Sequence, residues 1–207
     1  LREHLGTEHG IVLNFPAYRE HDPAVGAVTC FPPGLKENGG IFCHANTWAV
    51  VAEALLGRGD RAFEHYRSFL PAAKNDTADH YTMEPYVYSQ FITGKEHPSF
   101  GRARNSWLTG TAAWGFVAIT QYILGVRADY DGLSIAPAIP SKWDGYEMKR
   151  VFRGATYDIR VRNPHHVCSG VASLKVDGKS IATPYVPPAA PGSTVTVEVE
   201  MGSNRPA

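Results

Sequence analysis

The periodicity of the apolar residues changes near residue 125, and this change constrains the fold more than any other feature of the sequence. Before it, apolar residues recur at spacings of three and four, which is typical of helices with one buried face. The predicted helices are 45–56 and 60–70, each with one apolar face, and 111–124, which is apolar nearly all round as a buried helix would be; a shorter candidate lies around 85–92. Gly57, Pro71 and Gly125 follow the three longer segments, and these residue types commonly end helices.

After residue 125, short alternating runs are separated by turn residues. The runs Val151–Val161 and Thr194–Val199 predict strands, and the segment Val176–Lys179 predicts a hairpin turn. The sequence therefore predicts an α+β protein in two parts. Residues 1–125 form a helical domain, and residues 126–207 form a small β-sandwich or part of one.

The charge balance limits the classes of partner. The chain has 207 residues, with 20 Lys and Arg against 20 Asp and Glu, so its formal net charge is zero. A neutral chain without a basic run has no long-range field for nucleic acid or for an anionic membrane surface. No apolar stretch approaches the roughly 20 residues needed to span a bilayer, and no secretion signal opens the chain. We expect small-molecule partners, no nucleic acid and no membrane.

The cysteines and histidines give no sign of a disulfide framework or a metal site. Cys30, Cys43 and Cys168 are an odd number at unrelated spacings, which favours a reducing compartment, and we predict a cytoplasmic protein. The nine histidines form no metal-binding motif, and the sequence contains no paired cysteines or Gly-rich phosphate loop. We therefore expect neither a metal nor a cofactor.

The segment Lys36–His44 is the densest in chemical groups. The pair Gly39-Gly40 allows unusual backbone angles and brings Glu37 and His44 to the start of a predicted helix, where free N–H groups favour an anion. This pattern indicates an anion or sugar site. The alternative is a simple turn followed by a capping or core histidine.

A second segment, Asn105–Thr111, precedes the next predicted helix in a similar way. Thr109 offers a hydroxyl group and Gly110 an unobstructed backbone N–H, a combination that binds phosphate without a large positive charge. The two segments could converge on one anion. The alternative is an ordinary helix cap.

A third segment, His80–Gln90, contains three tyrosines together with Glu84 and Gln90. Aromatic faces bind the C–H surfaces of sugars, and side-chain amides and carboxylates bind their hydroxyl groups. The composition therefore fits a saccharide pocket, and it fits an ordinary aromatic core equally well.

Taken together and in this order, the three segments resemble the C-terminal part of the inverting disaccharide phosphorylases of glycoside hydrolase family 94. The resemblance extends over nearly the whole chain. It implies the last part of an (α/α)6 barrel followed by a small C-terminal β-sandwich domain. It also implies reversible phosphorolysis of a disaccharide, with cellobiose favoured, to α-D-glucose 1-phosphate and glucose in a cytoplasmic homodimer.

By the same resemblance, His44, Thr109 and Gly110 bind phosphate, and Glu37 and Gln90 contact sugar hydroxyl groups. Phosphate is itself an anionic nucleophile, so only one of the two carboxyl groups of an inverting hydrolase is still needed, as general acid. The family places that acid on an upstream Asp whose motif does not occur in these residues. We therefore assign no catalytic residue here and expect this chain to be inactive by itself.

Two other functions stay open. An inverting hydrolase of related barrel fold would need a base carboxylate, for which Glu37 and Glu84 are the candidates. In the second alternative function, the β-rich part is a non-catalytic carbohydrate-binding module that uses Trp143, Tyr146 and Tyr157.

Overall fold

A computed structural model describes residues 2–203 and contains both helices and strands. The helices are α1 (Arg2–Leu5), α2 (Cys43–Leu55), α3 (Gly59–Phe69), α4 (Ala78–Tyr81) and α5 (Thr111–Val117). The strands are β1 (Gly6–Thr7), β2 (Gly10–Ile11), β3 (Ile41–Phe42), β4 (Ser89–Ile92), β5 (Ala103–Ser106), β6 (Val126–Asp129), β7 (Gly132–Ile135), β8 (Gly145–Phe152), β9 (Ala155–Arg162), β10 (Val171–Val176), β11 (Lys179–Ser180), β12 (Tyr185–Val186) and β13 (Thr194–Met201). Short 3-10 helices occupy Ala27–Cys30 and Pro71–Thr77.

The described chain divides into two compact units, each assembled from two separate stretches. The first consists of Leu1–Val50 and Glu64–Phe116, and the second of Val51–Phe63 and Val117–Ala207. The second unit therefore contains the turn between α2 and α3 in addition to the whole of the predicted β-rich part.

Helices α2 and α3 confirm the two helices predicted over 45–56 and 60–70, with starts one or two residues earlier. The chain leaves α2 at Gly57, whose φ of +71° is readily available only to glycine. Asp60, in the first turn of α3, accepts a hydrogen bond of 2.8 Å from the backbone N–H of Ser141.

The segment around 85–92 is not the fourth helix that the sequence suggested. Thr82 ends α4 in the left-handed region, with φ of +53°, and the chain then continues into strand β4. Strand β4 lies in the centre of an antiparallel sheet, between β3 and β5. Its residues Phe91 and Ile92 are buried, so the apolar positions of this segment follow the packing of a sheet.

The helix predicted over 111–124 is α-helical only as far as Val117. The next six residues, Ala118–Ile123, form a π-helix, and the N–H of Leu124 donates to the carbonyl oxygen of Ile119. Such wide turns often occur near functional sites. Trp114 is 41% exposed and Phe116 60% exposed, so this helix is not buried on all sides as the sequence suggested.

The second unit holds two sheets. Five strands are arranged in the order β11-β10-β13-β9-β8, in which only the pair β13 and β9 is parallel, and three more in the order β12-β7-β6. The predicted turn is confirmed, because Asp177 and Gly178 both have positive φ between β10 and β11. The run Val151–Val161 is a hairpin of two strands, which turns at Arg153 and Gly154.

Candidate functional site

His44 has a buried nitrogen without a partner. It is the second residue of α2, and its ring lies 5.3 Å from the ring of Trp48 and 6.2 Å from that of Trp114 between centroids. Its Nε2 atom is buried and forms no hydrogen bond within the described part of the chain. A buried polar atom without a partner costs about 1–3 kcal/mol, so this nitrogen is suited to a ligand.

Gly110 lies directly against the His44 ring although the two residues are 66 positions apart. A Cβ atom added to Gly110 would stand 3.2 Å from the ring carbon Cε1 of His44. Only glycine leaves this space open. The structure therefore brings together the two segments that the sequence suggested could converge.

Thr109 caps helix α5. Its Oγ1 atom accepts a hydrogen bond from the backbone N–H of Thr111 at 3.1 Å and lies 2.6 Å from the Thr111 hydroxyl oxygen. If Thr111 donates in this hydroxyl pair, the Thr109 proton is free for a further acceptor. Thr109 thus acts as an ordinary helix cap, which was the alternative to a phosphate site for this segment. It also lies next to Gly110 in the chain.

Glu37 and Gln90 line one cavity of about 340 Å³. Its lining consists of Ala27, Val28, Phe31, Lys36, Glu37, Phe42 and Gln90. The Lys36 ammonium group lies 5.2 Å above the ring of Phe31. This wall combines two charged groups, one amide and several apolar side chains, a composition that fits a single sugar ring.

The backbone of Lys36–Gly40 depends on its glycines. Gly39 has φ of +75°, and a Cβ atom on Gly40 would overlap the carbonyl oxygen of Lys36. The pair Gly39-Gly40 is therefore required by the tight turn that holds Glu37 at the cavity.

Asn38 is a residue of this segment that sequence reasoning missed. Its side chain is fully buried, donates to the carbonyl oxygens of Tyr18 and Phe31, and accepts from the N–H of Tyr18 at 2.8 Å. Asn38 therefore fixes the segment that carries Val28 and Phe31. Its partners lie seven and twenty positions away, in no recognisable motif.

The tyrosines of His80–Gln90 belong largely to the core. Tyr81 is 3% exposed and its hydroxyl lies 3.4 Å from Ser89 Oγ, while Tyr88 and Tyr66 pair through their hydroxyl oxygens at 3.1 Å. Burial raises the pKa of both Tyr81 and Tyr88 well above the ordinary value. The core interpretation therefore holds for these two side chains, whereas Tyr86 is 76% exposed.

Cys43, beside His44, is also a core residue. Its thiol is fully buried and lies 3.4 Å from Ser89 Oγ. Burial raises its pKa to about 12, so the group is a neutral thiol at physiological pH and a poor nucleophile.

The three aromatic residues of the carbohydrate-binding alternative are engaged inside the second unit. Tyr157 is fully buried, the Tyr146 hydroxyl donates to the carbonyl oxygen of Leu124, and the Trp143 ring packs edge-on against Phe63 at 4.9 Å. They do not form an open aromatic platform.

Within residues 2–203, no group of three or more His, Cys, Asp or Glu side chains is placed to hold a metal ion. None of the helices described is long and apolar enough to cross a membrane.

Comparison with known families decides the relationship. Residues 1–125 match the model of the glycosyl hydrolase 94 superfamily, catalytic domain. The chain belongs to the glycosyl hydrolase 94 superfamily. Residues 126–181 match the glycosyl hydrolase family 65 C-terminal domain. The resemblance carried by the three sequence segments is thus confirmed.

Several curated relatives of this glycosyl hydrolase 94 chain are phosphorylases by name, and another, 39% identical over 145 residues, is a cyclic β-(1,2)-glucan synthase of Rhizobium meliloti. The chain is 48% identical over 200 residues to an N,N′-diacetylchitobiose phosphorylase of Vibrio proteolyticus, covering 97% of this chain and 25% of that protein. It is 40% identical to a solabiose phosphorylase of Paenibacillus borealis, covering 95% and 26%, and 30% identical to a cellobionic acid phosphorylase of Neurospora crassa, covering 95% and 25%. The chain thus spans about a quarter of the length of these phosphorylases.

Proposed function

We propose that the full-length protein is an inverting disaccharide phosphorylase and that this chain supplies part of its phosphate and sugar sites. The observation that carries the proposal is the unpartnered Nε2 atom of His44, packed against Gly110. The family membership and the names of the relatives support the reaction class.

Inorganic phosphate is the nucleophile in this proposal. His44 binds one phosphate oxygen through Nε2, and the Thr109 hydroxyl and the Gly110 backbone N–H bind others. Because phosphate already carries negative charge, no base is needed to activate it, and the site has only to hold it on the face opposite the leaving sugar. The general acid that protonates the leaving oxygen is then supplied by the upstream part of the protein.

Glu37 and Gln90 orient the disaccharide from the cavity that they share. A carboxylate accepts hydrogen bonds from sugar hydroxyl groups, and an amide both donates and accepts, so together they can bind adjacent hydroxyl groups. Lys36, in the same wall, adds a donor that sequence reasoning did not include.

We favour N,N′-diacetylchitobiose as the substrate, whereas the sequence resemblance favoured cellobiose. Two relatives that carry this substrate in their name are 48% and 47% identical to the chain. The apolar residues Ala27, Val28 and Phe31 in the cavity wall would suit the methyl group of an acetamido substituent. Cellobiose is the second candidate, and the products are in either case a sugar α-1-phosphate and a free sugar.

The architecture of the full-length protein is part of the proposal. In this proposal, residues 1–125 are the C-terminal part of an (α/α)6 barrel, and residues 126–207 are a small β-sandwich domain. We further propose that the protein is a cytoplasmic homodimer, as the family resemblance implies.

The test is to incubate the full-length protein with each disaccharide, with and without inorganic phosphate, and to measure sugar 1-phosphate by ³¹P NMR and free sugar chemically. We expect one α-configured sugar phosphate and one free sugar per bond cleaved, and no cleavage without phosphate. Two free sugars formed without phosphate would contradict the proposal and favour the hydrolase, with Glu37 or Glu84 as base. Sugar binding without turnover would favour the carbohydrate-binding alternative.

A further inference from the structure

Gln90 and Asn105 face each other across two strands. The register pairs Ser89 with Ser106 and Phe91 with Arg104, so Gln90 of β4 stands opposite Asn105 of β5. The Asn105 Nδ2 atom donates to Gln90 Oε1 at 3.0 Å. Gln90 Nε2 in turn donates to the carbonyl oxygen of Leu108 at 3.0 Å.

These two bonds fix the orientation of the Gln90 amide. The Leu108 carbonyl oxygen can only accept, so the Gln90 nitrogen must face it, and the Gln90 oxygen must then face the Asn105 amide nitrogen. One N–H of Gln90 and one lone pair of its oxygen are left for other partners. Gln90 also lines the cavity that contains Glu37, so a sugar hydroxyl is a fitting partner for either group.

The segment held by Gln90 has a costly backbone. Asn105 has φ of +55° and Trp107 φ of +68°, both in the left-handed region, which asparagine tolerates better than most residues but which is costly for tryptophan. Trp107 and Leu108 are 71% and 70% exposed, so packing contributes little to holding this segment. The two hydrogen bonds of the Gln90 side-chain amide are therefore major local restraints on residues 105–108, which lead directly to Thr109 and Gly110.

We propose that Asn105 is a positioning residue that couples the sugar pocket to the phosphate site. Its amide orients Gln90 for the sugar, and Gln90 holds the strained segment so that Thr109 and Gly110 lie against His44. This inference rests on the proposed function, because it assigns Asn105 to the same two binding sites. Asn105 itself touches neither substrate.

The test compares variants of the full-length protein by steady-state kinetics. Asn105→Gly removes the amide but tolerates the positive φ, so it separates the hydrogen bond from backbone strain. We expect this variant to raise the KM for the disaccharide and the KM for phosphate together, each about fivefold, with kcat changed less than twofold. The control is Ser106→Ala, one residue further along β5, for which both KM values stay within twofold of the unsubstituted protein.

A purely structural role of Asn105 has a different signature. A smaller folded fraction would lower kcat and leave both KM values unchanged, and that result would overturn the inference. In Gln90→Ala protein we expect Asn105→Gly to add less than a twofold effect, because Asn105 acts through Gln90. If the effects of Gln90→Ala and Asn105→Gly on the KM values multiply fully in the double variant, the inference is also overturned.

The failure of this inference is distinguishable from the failure of the proposed function. If the unsubstituted protein forms sugar phosphate and Asn105→Gly has normal KM values, only the coupling by Asn105 is wrong. If the unsubstituted protein forms no sugar phosphate from either disaccharide, the proposed function is wrong, and the role of Asn105 is overturned with it.

Discussion

At the scale of single residues, three side-chain amides organise the candidate site. Asn38 ties the Lys36–His44 segment to Tyr18 and Phe31, and Asn105 donates a hydrogen bond to Gln90 beside the segment that we propose to bind phosphate. An amide side chain suits this task because it donates and accepts at once and carries no charge that burial would penalise. Of the three, Asn38 and Asn105 lie outside the contacts that we propose for substrate.

Asn38→Ala is expected to lower the free energy of unfolding by about 3 kcal/mol. The substitution leaves the carbonyl oxygens of Tyr18 and Phe31 and the N–H of Tyr18 without their buried partner. Urea denaturation of the full-length protein measures the change, with Asn75→Ala, at an exposed asparagine, as the control. A loss below 1 kcal/mol would show that water replaces the three hydrogen bonds.

The residues that sequence reasoning found and those it missed differ in a physical way. His44, Thr109 and Gly110 stand at the starts of predicted helices, where free N–H groups favour an anion, so an anion site could be proposed there from sequence. Asn38 and Asn105 have roles defined by partners that only the fold brings close. Nothing in the local sequence distinguishes them from asparagines that lack such partners.

At the scale of elements, the start of α5 and the first turn of α2 meet through Gly110 and His44. Gly110 immediately precedes α5, and its carbonyl oxygen accepts the N–H of Trp114 at 3.1 Å. The width of the gap between these two elements is set by the absence of a side chain at Gly110.

Gly110→Ala is expected to raise the KM for phosphate more than tenfold. The new methyl group would lie 3.2 Å from the His44 ring and partly fill the proposed phosphate site. The matched control is Gly115→Ala in the same helix, whose Cβ atom would lie equally close, 3.3 Å, to the Tyr88 hydroxyl and away from His44. Phosphate saturation curves of both full-length variants test this, and equal effects of the two substitutions would contradict it.

Elements with a long, clear periodicity were predictable, and short ones were not. The two long helices α2 and α3 follow their apolar spacing, and the Asp177-Gly178 turn follows its dipeptide. The strand β4 has four residues, too few for its period to be distinguished from that of a helix. The change from α-helix to π-helix after Val117 leaves no mark in the apolar pattern.

At the scale of the whole molecule, the first unit exposes large apolar side chains. Trp48 is 56% exposed, Trp107 71% and Phe116 60%. Exposed apolar surface of this kind commonly marks an interface. Because the chain spans about a quarter of the length of its phosphorylase relatives, we propose that the upstream part of the full-length protein covers this apolar surface.

The most direct test of the account is the phosphate saturation curve of His44→Ala in the full-length protein, compared with His4→Ala, at an exposed histidine. We predict that His44→Ala raises the KM for phosphate more than tenfold and changes the KM for the disaccharide less than twofold, because in the proposed function Nε2 binds only the nucleophile. His4→Ala should leave both values unchanged. An equal increase of both KM values in His44→Ala, or no change in either, would contradict the proposal that His44 binds phosphate.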